Sequence, residues 1–383
     1  MVNLKHLLGS AAALVLSATA SPLPFHDGAK AVYFQTNKSP NQIAAVTVHS
    51  SGKLGNYTFH STGGKGGAEV SAMGPNAPDA LGSQHSVVVY RDYLFTVNAG
   101  SNDVSLFSIP YEDPTALKLI GTYPVNGGFP NTLAVKGDHV CVGYAGSPSG
   151  VSCAEWSPLG FGKFDTIREF DLHQSNPPNA SLILVSDAVF VEDESRLLVT
   201  ARGSAASPGF VATYDVDWAG QVSGNGKFST PAGLNASFGA VPIPHTQLAF
   251  VAEPEVGGYI LDVARPSRPI ATVRVPGQQA ICWSALTHKS VTGIFPDAGT
   301  NTITQVEIPC GRVVQQWNST NGNGGQLDFS IDATDKFFAL AFSPKDSQAR
   351  VASVDLSGSK FTDIDNMVIA GTDMNSQGFA IYP

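Results

Sequence analysis

A pair of short alternating segments recurs seven times along this chain, and this repeat restricts the fold more than any other feature. The copy at 95–109 reads FTVNAGSNDVSLFSI, two alternating apolar and polar runs joined by small polar residues. Alternation with period two indicates a β-strand, and Gly, Asn and Ser tolerate turn dihedral angles, so each copy predicts a β-hairpin. The other six copies lie at 32–48, 140–156, 197–216, 248–263, 291–308 and 338–356.

The spacing of the hairpins predicts the architecture. Six steps separate the hairpin ends Val48 and Leu356, a mean of about 51 residues per step, which suits a four-stranded propeller blade. We therefore predict an all-β protein, a seven-bladed β-propeller of four-stranded antiparallel blades, forming one domain over residues 27–383. A β-sandwich or two smaller β domains is the alternative. Each hairpin except the first follows a further predicted strand, at 83–89, 129–135, 186–191, 239–244, 280–286 and 326–331.

The strand missing from the first blade is predicted to come from the other end of the chain. The C-terminal sequence SQGFAIYP (376–383) alternates as a strand does and lies after the seventh hairpin. Pairing it with the first hairpin closes the ring and removes the free sheet edges that invite aggregation.

The N-terminus predicts secretion. Lys5 and His6 precede an apolar run at 7–16, and Ala18-Thr19-Ala20 supplies a small-x-small cleavage pattern, so residues 1–20 read as a signal peptide followed by a short segment at 21–26. No segment is long enough to span a bilayer, and we expect a soluble monomer that is extracellular or in a cell wall. Five sequons fit secretion: Asn37, Asn56, Asn179, Asn235 and Asn318.

Charge and cysteine content restrict the partners and the covalent structure. The formal net charge is −9 and no Lys/Arg cluster occurs, which argues against nucleic acid as a partner. Cys141 and Cys153 fall on the two strands of one hairpin and come nearly opposite, so we predict a disulfide between them. Cys282 and Cys310 fall on strands separated by a third strand, and their pairing stays open.

The predicted topology sorts candidate site residues by the ends of the central channel. We label the strands of a blade A to D from the channel outwards; strand A starts at the end where the B–C turns lie, and the A–B turns lie at the opposite end. His139, His245 and His288 fall in A–B turns, and we interpret them as surface histidines. Polar residues that start A strands or end B strands gather at the B–C end: His85, Asn98, Asn131, Tyr144, Arg202, Glu253, Asp297, Asp328 and Lys345.

These residues predict a small mixed-charge funnel that binds a polar ligand. Structural roles are the alternative: Asn98 as a turn residue, Tyr144 in packing, His85 as a satisfied polar side chain, and Arg202 with Glu253 as an ion pair between blades. The sequence contains no G-x-S-x-G, P-loop, H-E-x-x-H or EF-hand motif. No cofactor is expected. A single divalent cation in the channel is possible, with Glu253, Asp297 and Asp328 as oxygen donors.

Three stretches carry a family resemblance: GSQHSVVVYRDYLFTVNAGSNDVSLFSI, QAICWSALTHKSVTGIFPDAG and the closing QGFAIYP. The chain resembles secreted fungal proteins described as 3-carboxymuconate cyclase-like, which belong with 6-phosphogluconolactonase to the lactonase-type seven-bladed propellers. The resemblance covers nearly all of the mature chain. It implies either hydrolysis of a sugar lactone or cyclisation of a muconate to a lactone.

The resemblance also implies site residues. The intracellular cyclase uses one His, two Arg and one Glu in the channel mouth, and His85, Arg202 and Glu253 match three of them by position type. No second arginine lies at an equivalent place. Arg202, with Lys345, would hold a carboxylate or an oxyanion, and Glu253 or His85 would move the proton. Further substrate contacts are expected from Asn98, Asn131, Tyr144, Asp297 and Lys345.

A second function class fits the same sequence. Some secreted relatives are known as abundant cell-wall or culture-filtrate glycoprotein antigens. The alternative is therefore a non-catalytic wall glycoprotein that uses the propeller as a binding scaffold. Secretion favours this alternative, because muconate catabolism is usually intracellular.

Overall fold

The structure is a computed structural model that describes residues 28–71, 74, 77–191, 195–343 and 345–383. Within these ranges the strands form seven antiparallel sheets arranged as the blades of a propeller. The signal peptide predicted at 1–20 and the segment at 21–26 lie outside the described residues. Where the chain is described, no helix is long and apolar enough to cross a membrane.

The innermost strand of blade 1 is the last strand of the chain, whereas blades 2 and 3 follow chain order. Their strands, from the inside outwards, are β29 (Gln377–Tyr382), β1 (Ala31–Gln35), β2 (Gln42–Val48) and β3 (Leu54–Ser61); then β4 (Val87–Tyr90), β5 (Tyr93–Asn98), β6 (Asp103–Ser108) and β7 (Lys118–Pro124); then β8 (Pro130–Lys136), β9 (His139–Tyr144) and β10 (Ser149–Ser157), with β11 (Gly160–Phe161) and β12 (Arg168–Phe170) both paired to β10.

Blades 4 to 7 follow chain order throughout. Their strands are β13 (Leu184–Phe190), β14 (Arg196–Arg202), β15 (Phe210–Asp215) and β16 (Lys227–Ser229); β17 (Ala240–Pro242), β18 (Leu248–Glu253), β19 (Gly257–Asp262) and β20 (Ala271–Arg274); β21 (Ala285–Leu286), β22 (Gly293–Asp297), β23 (Thr302–Glu307) and β24 (Arg312–Asn318); and β25 (Gly325–Ile331), β26 (Lys336–Ser343), β27 (Asp346–Asp355) and β28 (Thr362–Val368).

The predicted seven-bladed propeller is confirmed, and so is the closure of its ring. Strand β29 pairs antiparallel with β1, with Tyr382 opposite Ala31 and Ile381 opposite Val32. The backbone N–H of Lys30 extends this pairing by donating to Tyr382 O at 2.8 Å. Blade 1 is therefore built from both ends of the chain, and β1 is not left as an unpaired edge strand.

Blade 6 departs from the prediction at its innermost strand. Of the segment predicted at 280–286, only Ala285 and Leu286 pair as a strand. The residues before them bond to the loop between β3 and β4 instead: Trp283 Nε1 donates to Ser83 O at 3.1 Å, and Ser284 N donates to Gln84 Oε1 at 3.0 Å. A tertiary contact therefore replaces the sheet ladder at this position.

The described residues of that loop (62–71, 74 and 77–86) cross the channel at the B–C end, and we call them the crossing loop. It touches blade 2 where Gly100 N donates to Lys65 O, and the segment before blade 4 where Val70 N donates to Pro178 O. Its last residues reach the opposite side of the ring, because Ser83 O accepts bonds from Trp283 of blade 6 and Gln377 of blade 1. The crossing loop therefore covers the B–C end of the channel.

The two candidate pairs of cysteines differ in whether they form a disulfide. Cys141 and Cys153 lie opposite in the β9–β10 ladder and form the predicted disulfide. The pairing of Cys282 with Cys310, which the sequence left open, is not made, and both thiols are free. Cys282 lies on the inner side of blade 6, whereas the Cys310 thiol lies in the β23–β24 turn, 3.3 Å from Glu307 Oε2.

Neighbouring blades pack through large apolar side chains that rely on glycines opposite them. Between blades 5 and 6, Phe250 and Phe295 stack with ring centroids 4.3 Å apart. A Cβ on Gly258 would collide with the Phe295 ring, and one on Gly293 would collide with the Phe250 ring. Both contacts are far shorter than carbon atoms tolerate, so the missing side chains make room for the stacked pair.

We therefore expect Gly258→Ala to destabilise the protein by about 1–3 kcal/mol, because overpacking forces the ring or the backbone to move. Gly224→Ala is the matched control, since nothing lies within 4 Å of a Cβ at that position. The measurement is the free energy of unfolding in urea. Equal effects of the two substitutions would contradict this account of the interface.

Candidate functional site

A cavity of about 430 Å³ occupies the channel and opens at the A–B end. Its inner wall includes Gln84 and His85 from the end of the crossing loop. Its rim includes Pro244, Thr287 and His288, which belong to the A–B turns of blades 5 and 6. We call it the channel cavity. The sequence predicted a mouth at the B–C end, but the crossing loop covers that end, so the access lies on the opposite face.

His85 is held in the channel cavity by an unusual backbone conformation and one strong hydrogen bond. Its φ of 59° lies in the left-handed region, which non-glycine residues rarely adopt and which often marks a functional constraint. Its Nδ1 lies 2.8 Å from Asp187 Oδ1. The His85 side chain is 29% exposed, whereas that of Asp187 is fully buried. The imidazole therefore reaches solvent while its partner does not.

Asp187 is fixed by donors from several blades. Its Oδ1 also accepts bonds from Thr132 Oγ1 at 3.0 Å and from its neighbour Ala188 N at 2.8 Å. Its Oδ2 accepts a bond from Ala240 N of blade 5 at 2.8 Å. A carboxylate that only accepts hydrogen bonds requires Nδ1 of His85 to be the donor. The arrangement leaves Nε2 of His85 as the acceptor of the neutral ring.

Gln84 supports the same tautomer. Its Oε1 accepts a bond from Ser284 N at 3.0 Å, and its Nε2 donates to Ser284 O at 2.9 Å, so the backbone fixes which way the amide points. The same Nε2 lies 3.4 Å from His85 Nε2 and can only donate to it. His85 therefore carries its acceptor lone pair on Nε2, as a general base requires, and Gln84 holds that nitrogen only by a long contact of 3.4 Å.

A second buried carboxyl group lies near this histidine. Burial raises the pKa of Asp328 to about 8, although the nearby His85 and a bond from Phe329 N act to lower it. Phe329 N donates to Asp328 Oδ1 at 2.9 Å, and Oδ2 is buried without a partner among the described residues. Burial lowers the pKa of His85, but Asp187 and Asp328 outweigh it, and the pKa is raised above 6.5.

The structure does not bring the other two predicted catalytic residues into this cavity. Arg202 Nη2 pairs with Glu69 Oε2 of the crossing loop at 2.8 Å. Glu253 is fully buried, and both of its carboxylate oxygens lie 3.0 Å from Ala236 N. Burial raises the pKa of Glu253 to about 7. Neither residue lines the channel cavity, because both lie at the B–C ends of their blades.

Four of the five predicted substrate contacts are buried and bonded within the protein. Asn131 donates to Leu81 O and Val185 O, and so anchors the crossing loop. Asn98 accepts bonds from blade 1 and the crossing loop, Tyr144 bonds to Ser152, and Asp297 accepts bonds from the backbone that leads into blade 6. Lys345 is exposed in a B–C turn. These positions hold connections together at the B–C end, away from the channel cavity.

The possible cation site at Glu253, Asp297 and Asp328 is not assembled. Across the described residues, no group of three or more His, Cys, Asp or Glu side chains is placed to hold a metal ion. Glu253 and Asp297 each bond to backbone N–H groups of their own blade, and Asp328 bonds to Phe329 N. Their oxygens are used to fix strands at separate places.

Sequence reasoning missed Gln84 and Asp187, and it placed His288 away from the site. Asp187 interrupts the apolar segment SDAVFV of an inner strand, which is a signal that the sequence does contain. His288 lies in an A–B turn as predicted, but it lines the rim of the channel cavity. Its Nε2 lies 3.1 Å from Ile331 O and donates to that carbonyl.

Four of the five predicted glycosylation sites are exposed, namely Asn56, Asn179, Asn235 and Asn318. Asn37 differs, because it is 4% exposed. Its Nδ2, the atom that would carry the glycan, donates to Gly67 O at 2.7 Å, and its Oδ1 accepts a bond from Gly67 N. The folded structure therefore has no room for a glycan at Asn37.

The fold is similar to that of several solved bacterial proteins. A candidate 6-phosphogluconolactonase from Bacteroides fragilis matches with a TM-score of 0.67 and 13% identity, over 95% of this chain and 100% of that one. A second, from Bacteroides uniformis, matches with a TM-score of 0.64 and 14% identity, over 92% and 100%.

A protein from Lactobacillus plantarum matches with a TM-score of 0.65 and 16% identity, over 93% and 100%. No protein-family model and no curated protein matches the chain. At these identities the likeness shows the fold, which is a seven-bladed propeller.

The raised pKa of Asp328 predicts how the stability of the folded protein depends on pH. The folded state holds this proton up to about pH 8, whereas an unfolded chain releases it near 3.8, so the folded state binds more protons between these values. Stability from this group is therefore lost as the pH rises through that window, at up to about 1.4 kcal/mol per pH unit.

We expect Asp328→Asn to raise Tm relative to the parent at pH 8, and to have a smaller benefit at pH 5. Asp171→Asn, at an exposed carboxylate, is the control and should show no such trend. An offset in Tm that is the same at both pH values would contradict the buried, neutral carboxyl group.

Proposed function

We propose that this protein hydrolyses a small lactone in the channel cavity, with His85 as the general base. The observation that carries the proposal is the hydrogen bond of 2.8 Å between Asp187 Oδ1 and His85 Nδ1, which leaves Nε2 facing the cavity. The fold shared with two candidate 6-phosphogluconolactonases supports a lactone as the substrate class.

The proposed reaction has two steps. Nε2 of His85 takes a proton from a water molecule as its oxygen attacks the lactone carbonyl carbon, which forms a tetrahedral oxyanion. The oxyanion collapses, the ring C–O bond breaks, and the imidazolium returns the proton to the leaving alkoxide, which gives a hydroxy acid. Asp187 holds the ring and stabilises the imidazolium between the steps. The hydroxyl group of Ser330 lines the cavity and donates to Phe379 O at 3.3 Å, so it would exchange this long bond for one to the developing charge.

Cyclisation of a carboxymuconate is the less favoured activity. Its substrate carries three carboxylates and needs cationic partners. The predicted partner Arg202 already pairs with Glu69 at the other end of the channel. The second predicted cation, Lys345, lies in a B–C turn at that same end. Hydrolysis needs a base and a bound lactone, and both fit the channel cavity.

Secretion is part of the proposal, and a non-catalytic wall glycoprotein is the second candidate function. The exposure of Asn56, Asn179, Asn235 and Asn318 favours a glycosylated extracellular protein. This feature fits both candidates, so turnover decides between them. A glycoprotein that binds wall material through the propeller needs no reactive His85.

We expect purified protein to hydrolyse at least one member of a panel of alkyl lactones, aldonolactones, uronic lactones and the lactone that forms from 3-carboxymuconate. His85→Gln should lower kcat about 10²–10⁴-fold, because it removes the general base. The control is His173→Gln, at a histidine whose side chain is 83% exposed. The readout is proton release during hydrolysis. No turnover on any compound would favour the binding protein.

The pH profile checks the role of His85 separately. A general base must be neutral, and the pKa of His85 is raised above 6.5, so kcat/KM should increase with pH through a midpoint above that value. Asp187→Asn removes the carboxylate that does most to raise the pKa, and it should move the midpoint downwards. An unchanged midpoint in this variant would contradict the electrostatic link.

Glycan mapping checks the secretory assignment. After expression in a eukaryotic host and enzymatic deglycosylation, peptide mass spectrometry should find modified Asn56, Asn179, Asn235 and Asn318, and unmodified Asn37. The reason is the accessibility of each amide nitrogen. Occupancy at Asn37, or at none of the five, would contradict the assignment.

A further inference from the structure

We infer that the ligand of the channel cavity is an uncharged, mainly apolar molecule, such as an alkyl-substituted lactone, and that Val291 at the rim selects for it. This inference rests on the proposed lactone hydrolysis and specifies its substrate class. It differs from the sugar lactones and carboxylates that the sequence resemblance implies.

The lining of the channel cavity is chiefly apolar and comes from four blades. Val241, Leu286, Phe329 and Ile381 all contribute to it. In the described structure none of the residues lining this cavity is Asp, Glu, Lys or Arg. A phosphate or carboxylate that entered would lose its hydration and meet only the two histidines as groups that can carry a positive charge, with no Lys or Arg beside it, which is unfavourable. The wall therefore favours an uncharged ligand.

The polar groups in the lining are few and largely occupied. The side-chain amide of Gln84 is hydrogen-bonded to the backbone of Ser284, and Ser284 Oγ donates to backbone carbonyls. Thr287 is engaged within its own turn. The atoms left for a ligand are Nε2 of His85, the lone pairs of Ser330 Oγ and Nδ1 of the rim histidine His288, because their other polar atoms bond to Asp187, Phe379 O and Ile331 O. A polyhydroxylated sugar lactone would leave several hydroxyl groups unpaired, whereas an alkyl lactone presents one ester group.

Space for an apolar substituent adjoins the site. A second cavity of about 220 Å³ shares His85 and Pro242 with the channel cavity. Its walls include Leu133, Val135 and Val189, and Lys136 is the one charged residue among those described that line it. An alkyl chain extending from a lactone at His85 would bury its surface here and gain the usual hydrophobic stabilisation.

The backbone conformation and exposure of Val291 are independent evidence that the cavity binds apolar ligands. Its φ is 47°, in the left-handed region, and it is the only β-branched residue among the described non-glycine residues with positive φ. Such a residue is strained there, and strain of this kind concentrates at functional sites. Bonds between Thr287 and Thr292 close the turn that holds it. Its side chain is 37% exposed at the rim of the channel cavity.

Packing within the protein does not explain why a valine occupies this strained position. Asn or Gly would fit the turn better, and a side chain that is partly exposed gains little from the core. His85, the other strained residue of the same cavity, has φ 59°. Two strained side chains therefore face one cavity, one reactive and one apolar. We assign to Val291 the contact with the ligand's apolar surface.

The test compares δ-decalactone with glucono-δ-lactone and 6-phosphogluconolactone as substrates. We expect kcat/KM for the alkyl lactone to be at least tenfold higher than for the other two. Val291→Asn should raise KM for δ-decalactone several-fold with little change in kcat, and should not lower Tm, because Asn tolerates the turn conformation. Val314→Asn, at an exposed valine of β24 outside the cavity, is the matched control and should leave KM unchanged.

Each outcome decides one part of the inference. A preference for the polyol or the phosphorylated lactone would overturn the ligand class and keep the proposed hydrolysis. An unchanged KM in Val291→Asn would overturn the role of Val291. If no lactone is hydrolysed, titration of His85→Gln with δ-decalactam, an unreactive analogue, still tests the ligand class. Binding of the decalactam would support it, and no binding would overturn it.

Discussion

The hydrogen bonds that fasten the crossing loop over the channel govern the rest of this structure. Ser83 O accepts bonds from Trp283 Nε1 and Gln377 Nε2, which belong to blades 6 and 1. The backbone N–H of Gln84 donates to Ser186 O of blade 4 at 3.0 Å. A single short segment therefore ties together blades that are not neighbours. It covers one end of the channel and delivers His85 to the interior.

The same loop explains why the B–C end carries so many buried polar residues. A polar group removed from water is costly unless it is bonded, and a loop lying across the ring offers many backbone groups to bond. Asn131 and Arg202 serve this purpose, by contacts to Leu81 O and Glu69. At this end of the channel, polarity therefore supports the structure, and the channel cavity opens the other way.

The site itself depends on one buried carboxylate. Asp187 receives bonds from Thr132, Ala188 and Ala240 in addition to His85, so its orientation is set by three blades and the crossing loop together. Such a carboxylate fixes the tautomer of the imidazole and leaves Nε2 as its acceptor nitrogen. An apolar wall around a single oriented base suits a reaction that needs a positioned water molecule and an uncharged substrate.

The sequence by itself determined the seven blades, the hairpins within them, the closure by 376–383 and the Cys141–Cys153 bridge, because each follows from local alternation and spacing. It also identified His85 as a candidate. Only the tertiary structure decided which end of the channel is open and that Asp187 is the partner of His85. The physical reason is that both depend on where the irregular crossing loop lies, and its path is set by contacts with residues up to 294 positions away.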